Sequence, residues 1–164
     1  DMLDRFSGDD LHALGETLLE RGAAVAVIKV GHRGIYLRTA EADRLAGLRP
    51  ARTQAAEGWA SRELWHPAFD ITPPPNATGS GDSAIAGFLA GLLRDHSPAE
   101  CLQFANGNGA FNVMTPDALS GIRAWDELEA AIRDGWQTQP LEVPGAWRQD
   151  DEVLWQGPAD VSPA

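Results

Sequence analysis

An α/β fold is predicted from three features of the chain. A helical repeat, Leu11, Leu14, Leu18 and Leu19, leads into the unbroken run Ala23-Ala24-Val25-Ala26-Val27-Ile28-Lys29-Val30. Such β-branched runs are typical of strands buried on both faces of a parallel sheet. Further on, three prolines and the turn Asn76-Ala77-Thr78-Gly79-Ser80-Gly81-Asp82 feed a small, apolar segment with Ile85, Phe88, Leu89 and Leu92 at helical spacing. The chain has 164 residues, 43% of them apolar, which suffices for one domain with its own core.

The elements follow in order. Ser7 or Asp9 can cap the first helix, and Gly22 is placed to end it. After the apolar run, Gly31-His32-Arg33-Gly34 reads as a tight turn, and Ile35-Tyr36-Leu37-Arg38-Thr39 alternates like a returning strand. Residues 41–61 carry no firm period. Arg62-Glu63-Leu64-Trp65-His66 is a strand candidate, with Trp65 and Phe69 expected to cover one side of the sheet. Pro67 and the later prolines predict an extended, irregular approach to the glycine turn. Beyond the central helix, Ser97-Pro98 predicts an N-cap and first helical residue for a helix from about Ala99 to Val113. Gly107 and Gly109 within it would each cost roughly 1 kcal/mol against alanine, which implies a close neighbour. Trp125, Leu128, Ala131 and Ile132 form the stripe of a last helix, ended by Gly135. Residues 136–164 are too polar for a core of their own. Their tryptophans, Trp136, Trp147 and Trp155, predict a tail that wraps over the domain, or over another subunit as in a homo-oligomer, without much regular structure.

Composition narrows the function classes. A net charge of -11 argues against a nucleic-acid surface. It also requires a local electropositive pocket, and a divalent cation, if a polyanionic nucleotide is to bind. Cys101 is the only cysteine, which excludes an internal disulfide, and it reads as a small core residue rather than a nucleophile. His12, His32, His66 and His96 are scattered, with no i, i+4 pair for a metal. No apolar run is long enough to span a bilayer and no secretory signal is visible, so a cytoplasmic location is expected.

The glycine turn carries the chemistry. A glycine-rich turn opening a helix directs N–H groups outward at the positive end of the helix dipole, an arrangement suited to an anion. The P-loop pattern fails for want of a lysine after the last glycine. Gly79-x-Gly81-x-x-Ala84 fits a relaxed dinucleotide fingerprint, but a proline run rather than a strand precedes it. Thr78-Gly79-Ser80-Gly81-Asp82 with its apolar helix resembles the second signature of the ribokinase/PfkB carbohydrate kinase family. Phe104-Ala105-Asn106-Gly107-Asn108-Gly109-Ala110 is similar to the family's adenine-lining segment, at the expected distance beyond. The resemblance implies Asp82 as the base that takes the proton from the acceptor hydroxyl, and Gly79, Ser80 and Gly81 as the anion hole for the transferred phosphoryl group. It implies Gly31, Asn106 and Gly109 as nucleotide-binding residues, with the loop 115–122 closing the other side of the base. Lys29 either reaches a phosphate or extends into solvent. The simpler reading of Asp82 is a first-turn carboxylate that complements the dipole.

The resemblance further implies a Rossmann-like, three-layer α/β/α sheet of ribokinase type, with ATP and Mg²⁺ as cofactors and a sugar or related alcohol as acceptor. It runs from Asp1 to about Asp134, so residues 1–135 are expected to be the nucleotide-binding, C-terminal half of such a kinase. No counterpart of the N-terminal half, with its sugar pocket and lid, is found in the chain. The first residue is Asp1, and a piece of a longer protein, or a processed one, is expected. Asn76 stands where the family commonly has an aspartate linked to a monovalent-cation site, which argues against potassium dependence. A nucleoside or phosphosugar kinase, and a nucleotide-binding or interaction module without chemistry, are the alternative readings.

Overall fold

The computed structural model describes residues 2–47, 56–71, 78–150 and 153–161. The proline run 73–75 and Asn76 lie outside them. Helix α1 (Gly8–Glu20) begins at Ser7, whose hydroxyl accepts from the Asp10 amide while the Asp10 carboxylate accepts from the Ser7 amide. This reciprocal cap satisfies two amides that the first turn would otherwise leave unpaired. The face turned to the sheet carries Leu11, Gly15 and Leu19.

Strands β1 (Val25–Lys29) and β2 (Ile35–Thr39) form a hairpin with Val27 opposite Leu37. Two short helices, α2 (Ala42–Leu45) and α3 (Ala56–Trp59), precede β3 (Glu63–His66), which pairs with the other side of β2. The tail contributes β4 (Arg148–Gln149) and β5 (Trp155–Gln156), giving the order β1-β2-β3-β5-β4. Every described pairing is antiparallel, which corrects the parallel sheet expected from the run 23–30. Only residues 30–34 separate β1 from β2, too few for the crossover that parallel strands require. The run is apolar because β1 lies between helical layers, yet Val25, Val27 and Ile28 are only half-buried on this edge strand.

Helices α4 (Ser80–Leu92) and α5 (Pro98–Val113) cover one face of the sheet; α5 has the same reciprocal cap, between Ser97 and Glu100. Leu37, Leu64, Phe88, Leu102 and Ala105 pack between these helices and the sheet. On the opposite face, Leu11 of α1 meets Tyr36, Trp65, Val143 and Trp147. The result is three layers, one of them completed by the tail. Helix α6 (Trp125–Arg133) packs on α5 where Gly107 leaves room for Leu128. No helix among the described residues is long and apolar enough to cross a membrane.

Two expectations about side chains need correction. Helix α4 turns Ser83, Ala84, Gly87, Phe88 and Gly91 inward, whereas Ile85 and Leu89 are 43% and 48% exposed. Small residues let α4 approach α5 closely: a Cβ on Gly87 would lie 2.5 Å from the Phe104 carbonyl oxygen. Contact through the small face leaves the larger apolar residues outside. Likewise Trp65 and Phe69 do not share a side. Trp65 joins the α1 face, while Phe69 stacks on Trp136 with centroids 4.8 Å apart and lies beside Gly107 of α5. Cys101 is fully buried, and burial pushes its thiol up to about 12, as befits a packed side chain.

The tail has more order than its composition suggests. Trp147 meets Trp65 edge-on at 6.0 Å, and Asp160, whose side chain is buried, accepts from Arg62 Nε and from the Glu63 amide, both at 2.8 Å. Glu63 is completely buried in the central strand; its Oε1 accepts from Tyr36 Oη (2.9 Å) and His12 Nδ1 (2.8 Å), and its Oε2 from the Ala159 amide (2.8 Å). A carboxylate accepts from all three donors at once. Glu63→Gln places an N–H₂ among those donors and is expected to cost about 1–3 kcal/mol, read as a lowered urea midpoint with an unchanged slope.

Candidate functional site

Helix α4 starts at Gly79, which adopts φ +81° as its N-cap. That left-handed conformation turns the chain into the helix, and no side chain is available to cap it. Ser80, Gly81 and Asp82 form the first turn, so their amides have no carbonyl one turn back within the helix. The turn is held from two sides. Gly109 of α5 lies against it, since a Cβ there would be 3.2 Å from the Ser80 carbonyl oxygen, and Asn108 Nδ2 donates to the Ser83 carbonyl at 2.7 Å. Behind Gly79 stands Ala118, fixed by Asn112 Nδ2 donating to its carbonyl at 2.7 Å.

A cavity of about 370 Å³ opens between this turn, the β1–β2 turn and α5. Its volume falls in the range of small-molecule sites, roughly 300–1,000 Å³. Ser80, Gly81, Gly31, Asn106 and Gly109, all singled out in the sequence, line it together. Gly79 adjoins the wall. Asp82 is exposed on the helix surface next to Gly81 and is not itself part of the wall. The loop 115–122 contributes nothing to the wall, contrary to its expected place beside the base; it packs behind Gly79 and on Asn112 instead.

The wall is mostly apolar, with Ile35, Phe69, Ile71, Ala105 and Val113, and it also carries the polar side chains of Lys29, His32 and Gln139. Sequence reasoning missed Phe69, Ile71, His32 and Gln139 because they come from segments far apart along the chain. Asn76, whose place in the resemblance argued against potassium dependence, lies outside the described residues. Among the described residues no group of three His, Cys, Asp or Glu could hold a metal ion. A Mg²⁺ ion carried on a nucleotide binds mostly through waters, phosphate oxygens and one or two carboxylates, and requires no such group.

Asn106 lines the cavity but its Nδ2 is committed, donating to the carbonyl oxygens of His66 (3.2 Å) and Pro67 (3.1 Å). It thereby braces the end of β3 against α5. His66 Nδ1 lies 2.7 Å from the Pro67 carbonyl, and burial lowers the imidazole to about 4. An unfolded chain takes up this proton near its ordinary value, so the neutral buried ring stabilises the fold fully above about pH 6.5. That contribution, roughly 3 kcal/mol, is lost as pH falls from about 6.5 to about 4. In His66→Gln the difference between urea midpoints at high and low pH is expected to shrink accordingly.

Comparison with known proteins bears on the family and the fold. Residues 3–125 match the sequence profile of the pfkB family carbohydrate kinases. Among solved structures, the ribokinase of Thermotoga maritima superimposes with a TM-score of 0.56 at 22% identity, over 74% of this chain and 34% of its own. An E. coli protein assigned as ribokinase II gives a TM-score of 0.59 at 19% identity, over 76% and 34%. The nucleoside kinase of Methanocaldococcus jannaschii gives 0.52 at 15%, over 82% and 46%. At these identities the structural likeness shows the fold, a ribokinase-like α/β arrangement. The chain spans about a third of the length of the two ribokinases it matches. No curated protein sequence matches it.

Proposed function

The chain belongs to the pfkB family of carbohydrate kinases, and from that premise we propose that it takes part in transfer of a phosphoryl group from ATP to a carbohydrate hydroxyl. The observation that carries this reading is the single cavity shared by the glycine turn of α4 and by Gly31, Asn106 and Gly109. ATP with Mg²⁺ would supply the transferable group and offset part of its charge. The remaining work falls to the chain. The amides of Gly79, Ser80 and Gly81 donate to the non-bridging phosphate oxygens, where negative charge must be held during transfer. Asp82, exposed beside those amides, accepts the proton of the acceptor hydroxyl as its oxygen bonds to phosphorus and the bond to the departing ADP breaks. Gly31 and Gly109 line the same cavity, the first beside the phosphate chain and the second beside the base. In this reading the protein acts in the cytoplasm on a sugar, nucleoside or phosphosugar.

A second reading, nucleotide binding without turnover, is favoured by one observation: Asp82 is exposed beside the cavity and is not part of its wall. One experiment separates the two. ATP binding is measured by calorimetry, and transfer of the γ-phosphoryl group is followed across a panel of sugars, nucleosides and phosphosugars with Mg²⁺. Binding with transfer to one class identifies the acceptor. Binding with no transfer to any of them selects the second reading, and a chain that binds no ATP overturns both.

A further inference from the structure

The tail segment Trp136-Gln137-Thr138-Gln139 lies beyond the residues that match the family profile, yet it reaches the cavity wall. It is fastened to the chain after β3 as a second strand would be. The Asp70 amide donates to the Gln137 carbonyl and the Gln139 amide to the Ala68 carbonyl, both at 2.7 Å, with Thr138 opposite Phe69. Trp136 stacks on Phe69, and its Nε1 donates to the Asp70 carbonyl at 3.2 Å. Pro140 follows, and a residue before proline is held in extended backbone. Gln139, half-buried, therefore has a fixed place in the wall. Its side-chain amide has a fixed direction as well, because Nε2 donates to Asp70 Oδ1. An ionised carboxylate only accepts, so the end of the amide that faces Asp70 is the –NH₂. The other end, Oε1, can only accept, and it has no partner among the described residues.

We propose that Gln139 selects the base of the nucleotide: its Oε1 accepts from the exocyclic amine of adenine and disfavours a purine with a carbonyl in that place, as in hypoxanthine or guanine. This inference rests on the proposed nucleotide function and adds to it the class of base. A carbonyl oxygen brought to Oε1 would set two acceptors against each other and leave both without a donor. Shape separates such purines poorly, since an amine and a carbonyl oxygen are close in size. Strong rejection comes from a site built to hydrogen-bond the group that the wrong ligand lacks. Asp70 is the positioning residue, because it keeps the amide from turning over and offering its –NH₂ to a carbonyl instead.

The test titrates the whole chain with ATP, ITP and purine riboside triphosphate, which has only hydrogen where ATP carries its amine. The unaltered chain is expected to bind ATP about ten-fold more tightly than either of the others. Gln139→Leu should weaken ATP about ten-fold and leave purine riboside triphosphate within about twofold, because that ligand has no amine to lose. Asp70→Asn frees the amide to turn, so the advantage of ATP over ITP should shrink. The bonds that fasten the segment at Ala68 and Gln137 are between backbone atoms, so neither substitution removes them. Equal loss of ATP and purine riboside triphosphate in Gln139→Leu would show a residue that only fills the wall, and would overturn its role in selection. ITP bound by the unaltered chain as tightly as ATP would overturn it too, while leaving the nucleotide site intact. Failure of the unaltered chain to bind any of the three would overturn the proposed function, and this inference with it.

Discussion

Asp82→Asn is expected to lower phosphoryl transfer by about 10²–10⁴-fold, the usual contribution of a positioned general base. ATP affinity should stay within about twofold or improve slightly, because a negative charge near the triphosphate is removed. The substitution is nearly isosteric at an exposed first-turn position, so the fold has little reason to change. The helix loses only the favourable meeting of a carboxylate with its positive end, about 0.3–1 kcal/mol. These magnitudes separate the two meanings of the residue. A base gives a large fall in kcat, an ATP KM near the original, and a melting temperature lowered by about four degrees at most. A carboxylate present only for the dipole gives the small thermal shift with turnover intact, and that result would remove Asp82 from the mechanism.

The parts of this molecule that were legible beforehand are those whose cause is local. Ser7 and Ser97 each stand three residues before an acid that can reach back to the cap, so both helix starts are readable from four residues. The hairpin follows from a short glycine-bounded turn between two apolar runs. Gly79 to Asp82 are consecutive, so a turn and its helix could be recognised together. What escaped has a non-local cause. Ile85 and Leu89 look like core residues by period, and only the close α4–α5 contact through Gly87 shows why they face outward. The two-residue strands β4 and β5 exist because β3 offers β5 an edge and β5 offers one to β4, and nothing in Arg148-Gln149 or Trp155-Gln156 announces a strand. The cavity joins Lys29, Phe69 and Gln139, whose spacing along the chain has no period to detect. Asn106 lines the cavity, but its bond to the end of β3 required the partner to be seen.

Gly34→Ala is expected to be the most destabilising single methyl in the described fold. Gly34 adopts φ +94° and ψ -142°, a region essentially closed to residues with a Cβ. Its added carbon would also lie 2.0 Å from the His66 carbonyl oxygen and 2.7 Å from the Ala68 nitrogen. Those are backbone atoms joined to the central strand, and they cannot swing aside as a lysine tip can. Backbone strain of about 1–3 kcal/mol and overpacking of about 1–3 kcal/mol therefore act together. Their sum, about 2–6 kcal/mol, is a large part of the roughly 5–15 kcal/mol that holds a domain together. Gly22→Ala supplies the control: φ is +103° there, but nothing lies within 4 Å of the added carbon. It should show the strain alone, about 1–2 kcal/mol. Urea unfolding of the two variants thus measures the steric part by difference. The same contact links stability to function, because Gly34 and Ala68 both line the cavity. A methyl there must push the β2 start away from the β3 end. If Gly34→Ala still folds, its nucleotide affinity should fall as well, whereas Gly22→Ala, outside the cavity wall, should bind as the unaltered chain does. Equal loss of stability in the two variants would show that the close approach of these strands is not what demands glycine.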